Sequence, residues 1–177
     1  MTSGAPPATG PRPGETGTRR RLSGLPPESI AGAIYGTIVV AGVLAAEPYG
    51  DEADAVRTAA TALGTVVVFW IAHGWAHYLG RRATEGPQAR LRRSLAGDWP
   101  LVQAAVPPLV AVGVSVLAGA ADDTAIAIAE FVCTAVLVAW GALIAVNERG
   151  SLVRVIVSAA VCGMLGLVMI GLKVLVH

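Results

Sequence analysis

Five long apolar runs, separated by short polar or charged stretches, dominate the chain beyond its first 25 residues. They fall at about residues 28–46, 52–79, 100–120, 124–146 and 152–172. None alternates apolar and polar positions, as a barrel strand would. Each is near the roughly 20 residues a helix needs to cross a hydrocarbon core of about 30 Å. Lipid offers backbone N–H and C=O groups no partner, so only helices or closed barrels can span it. The pattern predicts an all-α membrane protein, a five-helix transmembrane bundle.

Helix punctuation agrees with these bounds. Pro26 and Pro27 suit the first turn of helix one, where a missing N–H costs nothing. Asp51 is the expected N-cap of helix two, with Asp54 in its first turn. Asp98 or Trp99 is expected to cap helix three, with Pro100 near its first position. Asp122 and Asp123 precede helix four. Gly150 can end helix four and Ser151 can cap helix five. Pro107 and Pro108 lie inside helix three and remove the bonds to the carbonyls of Gln103 and Ala104, which predicts a kink.

Charge sets the orientation. Arg19, Arg20 and Arg21 precede helix one; Arg81, Arg82, Arg90, Arg92 and Arg93 lie between helices two and three; Arg149 and Arg154 flank the turn between four and five. With five crossings, all three groups share one side. The other side holds Glu47, Asp51, Glu52, Asp54, Asp122 and Asp123, with only Arg57 and Lys173 as cations. The positive-inside rule makes the arginine side cytoplasmic. The N-terminus is then inside and the C-terminus outside, in a multi-pass protein of a bacterial cell (inner) membrane.

Residues 1–25 are rich in Pro, Gly, Thr and Arg and cannot bury enough surface to offset ordering entropy. They read as a disordered cytoplasmic tail ahead of a transmembrane domain spanning 26–177. Thr18 to Leu22 faintly resembles a twin-arginine export signal, but the positive-inside anchor explains the same arginines. The composition is 54% hydrophobic and only 14% charged, with a net charge of +1. That leaves no basic face for nucleic acid. The expected partners are the bilayer, anionic lipid headgroups, and a second copy or another membrane protein. Residues 87–97 can form a short interfacial helix. Leu91 and Leu95 would share one face, and Arg90, Arg92 and Arg93 would reach headgroups.

Small residues recur where helices can approach closely. Gly32 and Gly36 form a GxxxG in helix one. Ala111, Ser115 and Gly119 recur every four residues in helix three, and Ala135 and Ala139 do so in helix four. In lipid, close backbone packing replaces the hydrophobic drive. These stripes are expected mainly to pack the bundle, with contact between copies as the second use.

Three sets of polar residues carry the candidate chemistry. His73 and His77 are four residues apart, which places both imidazoles on one helical face. Thr58, Thr65 and Phe69 fall near that face, which predicts a polar side of helix two turned into the bundle. With Glu28 from the start of helix one, the two histidines make a candidate site for a transition metal or haem. Metalloproteases use this spacing with a Glu between the ligands, and Gly74, Trp75 and Ala76 supply none. The competing reading is an interfacial belt with Trp70, Trp75 and Tyr78. Glu130 is about six residues into helix four, roughly 9 Å below its outer start. A carboxyl at that depth marks an ion or proton path, or else bonds a neighbour. Thr61, Thr65 and Ser115 lie at comparable depth as its candidate partners. Cys133 and Cys162 lie near the middle of adjacent antiparallel helices, close enough by depth to approach each other, and are expected to act as small apolar residues.

The segments Glu28–Thr37 and Phe69–His73 resemble short integral membrane proteins of GC-rich bacteria. The resemblance covers helices one and two and implies no activity. No catalytic constellation is present: there is no Walker loop, no GxSxG and no dinucleotide turn. The leading expectation is a non-catalytic accessory or interaction component. The alternatives are a proton or ion channel or transporter subunit using Glu130, and a metal- or haem-binding protein using His73 and His77.

Overall fold

The computed structural model describes residues 27–48, 50, 53–80, 86–148 and 150–176. The proposed tail, the Asp51 cap, and Arg81, Arg82 and Arg149 lie outside the described residues. Every regular element among the described residues is a helix: α1 Pro27–Ala45, α2 Ala55–Gly80, α3 Pro87–Gly97, α4 Trp99–Gln103, α5 Val106–Leu117, α6 Asp122–Asn147 and α7 Leu152–Val176.

Three of these, α2, α6 and α7, are long and apolar enough to cross a membrane. A fourth crossing is available if α3 to α5 count as one broken span. The 26 residues of α6 extend about 39 Å at 1.5 Å per residue. α1 is shorter, at 19 residues.

The run at 100–120 is not one helix. It divides into α4 and α5 at Ala104–Ala105, and the α3–α4 segment meets α5 at 40°. The physical cause is Pro107 with Pro108, which offer no N–H to the carbonyls of Gln103 and Ala104. Regular bonding resumes where Leu109 N–H donates to Ala105 O at 3.1 Å. α5 also stops earlier than the apolar pattern implies. Gly119 takes φ of 80°. Its N–H donates to Val116 O, and Ala120 N–H donates to Ser115 O, both at 3.0 Å. This pair of bonds is a Schellman ending, which needs a residue that tolerates left-handed backbone. Gly119 therefore terminates α5 instead of packing a helix face.

At the start of α2 the cap is Asp54. Its Oδ1 accepts from Arg57 N–H at 2.8 Å, which satisfies one of the otherwise unpaired first-turn donors. Glu47 closes the turn by accepting from Arg57 Nη2 at 2.8 Å.

The core gathers around α1, which packs on α2, α4, α6 and α7. Val40, Leu44, Val66, Leu101 and Ile126 are almost wholly enclosed there. The GxxxG of α1 lies against α4: a Cβ on Gly36 would collide with the Leu101 carbonyl, and one on Gly32 would sit 3.7 Å from Leu101 N. Within this chain, then, the motif serves a helix–helix contact. Ala135 and Ala139 are exposed. The α6–α7 interface is built instead from Gly141, Gly163 and Gly166. Added Cβ atoms there would strike Ser158 and Cys162, Val138, and Thr134 respectively. Ser158 Oγ also donates to Gly141 O across the interface at 2.7 Å. The outer side of α7 shows Val153, Ile156, Val157, Met164 and Val168, all exposed. Such a continuous apolar face suits lipid contact.

Candidate functional site

Two polar constellations stand out, one inside the helix bundle and one at its end.

The first joins α6 to α7. The small-residue interface fixes a single antiparallel register, with Gly141 beside Cys162, Val138 beside Gly163 and Thr134 beside Gly166. Continuing that register toward the end of α7 brings Lys173 to Glu130. Lys173 Nζ lies 2.9 Å from Glu130 Oε1, with side-chain exposures of 2% and 7%. The same ammonium donates to Leu44 O of α1 at 3.3 Å. Three helices thus meet at one charged contact.

The residues expected to partner Glu130 are placed otherwise. Thr61 Oγ1 donates to Arg57 O at 2.9 Å, and Thr65 Oγ1 donates to Thr61 O at 2.8 Å. Both hydroxyls are satisfied within their own helix. Ser115 is buried. Among the described residues the Glu130 carboxylate bonds Lys173 and none of these three. Lys173, read from sequence as an outer-surface cation, turns back into the bundle. The signal was available: it is the single lysine of the chain, set in an apolar run.

Cys133 and Cys162 are free. In the observed register Cys162 faces Gly141, about two turns or about 12 Å along α6 from Cys133. Equal depth from sequence did not place them together, because register is set by the glycines.

The second constellation lies where α3 folds back on α2. Gly74 has no side chain, and Leu95 of α3 occupies the space, so that a Cβ there would stand 2.5 Å from Leu95 Cδ2. Trp70 Nε1 donates to Leu95 O at 2.8 Å and pins the same turn. This carries Asp98, the single residue between α3 and α4, to the histidines. His77 Nδ1 is 3.1 Å from Asp98 Oδ2. The His73 and His77 ring centroids are 5.1 Å apart, and Tyr35 of α1 stacks on His73 at 6.0 Å. One ligand-type atom from each of His73, His77 and Asp98 lies within 4.8 Å of the others.

The expected trio therefore changes membership. His73 and His77 converge, Asp98 takes the third place, and the Glu28 side chain lies outside the described residues. The face of α2 also differs from expectation. The buried stripe is Ala55, Thr58, Ala62, Val66 and Gly74. Phe69, His73 and His77 are exposed beside it. Thr58 is enclosed as expected, but the stripe of mostly small residues that carries it runs beside Phe69, His73 and His77 and leaves them outside the contact.

On α3, Arg90 stacks over the Tyr78 ring at 4.1 Å. Arg92 and Arg93 are exposed. A groove of about 590 Å³ between α2 and α3 is lined by Trp70, Leu91, Leu95 and Trp99, with Arg92 at its edge. A second cavity of about 220 Å³ lies among α1, α4, α5 and α6, bounded by Ser29, Gln103, Pro107 and Trp140. Glu130 lines neither. The chain matches no family model, no curated protein and no solved structure.

Proposed function

We propose that the chain is a multi-pass protein of a bacterial cytoplasmic membrane, acting as a non-catalytic accessory or interaction component. In this reading α1, α2, the broken α3–α5 segment, α6 and α7 make five crossings. The N-terminus is inside, the C-terminus outside, and the arginines of α3 face anionic headgroups. Three helices long and apolar enough to cross a membrane, and a fourth crossing available as a broken span, support the location.

The observation that carries the role is the Glu130–Lys173 contact. A carboxylate inside a membrane bundle is a candidate ion path until its partner is known. Here a lysine of the adjacent helix supplies the counter-charge at 2.9 Å. The charge is spent on holding α6, α7 and α1 together. The exposed apolar face of α7 is then available to meet lipid, another copy or another membrane protein.

Proteoliposomes loaded with a pH-sensitive dye test this reading, together with mild-detergent purification from native membranes. Wild type and Glu130→Gln should leak protons no faster than empty liposomes. Light scattering should show a self-associated species or a stoichiometric second polypeptide. Proton or cation flux that depends on Glu130 would replace this reading with transport. Labelling of tags at the two ends should find them on opposite sides of the membrane.

A further inference from the structure

We propose that His73, His77 and Asp98 form a site for one divalent first-row transition-metal ion of zinc-like chemistry. The site stands on local geometry and does not depend on the role proposed above.

The donor set selects the ion class. Two imidazole nitrogens and one carboxylate oxygen suit zinc and its first-row neighbours. Calcium and magnesium prefer oxygen alone, and cuprous ion prefers sulfur. The two nitrogens come from one helix face and the oxygen from a different element, so three bonds would tie α2 to the α3–α4 junction. Ligands held at about 2.0–2.2 Å from a common ion stand roughly 3–4 Å apart. The three atoms already lie within 4.8 Å of one another. Closing on an ion takes side-chain movement on the order of 1 Å. The His77 side chain is 51% exposed and free to make that movement.

Asp98 supplies the independent observation that points to a cation. It occupies the N-cap position of α4, where an aspartate normally accepts from the first-turn amides. Its side chain makes no such bond. The carboxylate is turned toward His77, and Oδ2 is sealed from solvent with no hydrogen-bond acceptor role filled there. The His77 Nδ1 atom stands 3.1 Å away, but not in the geometry of a hydrogen bond. A buried carboxylate oxygen without a fixed donor is costly. A metal ion would satisfy it and both rings at once.

The surroundings hold the donors in place. The Trp70–Leu95 bond and the Leu95 seat on Gly74 fix Asp98 relative to α2, and Tyr35 braces His73. Both histidines remain exposed, so an ion could enter from water and keep at least one position for water or a further ligand. Haem fits less well. Two axial ligands one turn apart on a single helix would drive the porphyrin into that helix.

The test uses the full chain in detergent, freed of its affinity tag and stripped with a chelator. Zinc is the titrant, followed by calorimetry and by metal analysis after desalting. Cobalt serves as a spectroscopic probe of the ligand field. Wild type should retain one zinc per chain and give a cobalt d–d spectrum with nitrogen and oxygen ligands. Asp98→Asn and His73→Gln keep the size of each side chain. Each should weaken zinc by more than the roughly 10- to 100-fold that loss of an outer-shell partner costs. Each should also leave the metal-free melting temperature within a few degrees of wild type. Absence of retained zinc in wild type, or zinc affinity in both variants unchanged from wild type, overturns the site. In that case the contact is a plain histidine–aspartate pair.

Discussion

Lys173, four residues from the C-terminal end, reaches Glu130 across the α6–α7 interface and at the same time binds the carbonyl of Leu44 on α1. Removing one member leaves an uncompensated buried charge, which costs about 3–5 kcal/mol. Glu130→Gln or Lys173→Met should each destabilise the protein by about that amount. The double variant should recover most of the loss, since neither charge is then stranded. Unfolding in detergent, run as a double-mutant cycle, measures the coupling. Additive losses would mean that the two side chains act separately.

The glycines fall into two groups that substitution should separate. Gly141 and Gly36 face neighbouring backbone, so Gly141→Ala and Gly36→Ala should push helices apart and cost about 1–3 kcal/mol. Gly64 and Gly113 have open space around the missing Cβ. Gly64→Ala and Gly113→Ala should be neutral or stabilising by about 0.5–1 kcal/mol. Melting temperatures of the four variants decide it, and a uniform response would contradict the close approaches.

Gly74→Ala should loosen α3 without unfolding the rest. The added methyl takes the place of Leu95, and the Trp70–Leu95 bond depends on that seat. A red shift and greater quenching of Trp70 and Trp99 fluorescence are expected, with zinc affinity falling as Asp98 moves off the histidines. Tryptophan emission identical to wild type would show that α3 is not held by this contact.

Cys133 and Cys162 should resist oxidation to an intramolecular disulfide. A disulfide needs Cα atoms within about 7 Å, and the register separates the two by about two helical turns. Intact mass after treatment with copper phenanthroline should lack the loss of two hydrogen atoms. Efficient cross-linking would mean that α6 and α7 pack in another register.

The apolar helices were legible from local pattern, because length and apolar composition belong to each run separately. The break at Ala104–Ala105 was readable in Pro107 and Pro108, although the division into α4 and α5 was not. The histidine pair was readable because i, i+4 spacing is a property of one helix. Its third member was not. Asp98 looks like a cap in sequence, and only the seat of Leu95 on Gly74 carries it to His77.

Glu130 marks itself as an acidic residue in an apolar run, but depth alone pairs it with Thr61, Thr65 and Ser115 and not with Lys173. Depth along a helix says which residues share a level, not which faces meet. The sequence by itself determined the apolar helices, the carboxylate that needed a partner and the paired imidazoles. Only the tertiary structure decided which lysine and which aspartate answered them. The reason is physical: those contacts depend on interhelical register and rotation, which glycines on different helices set jointly.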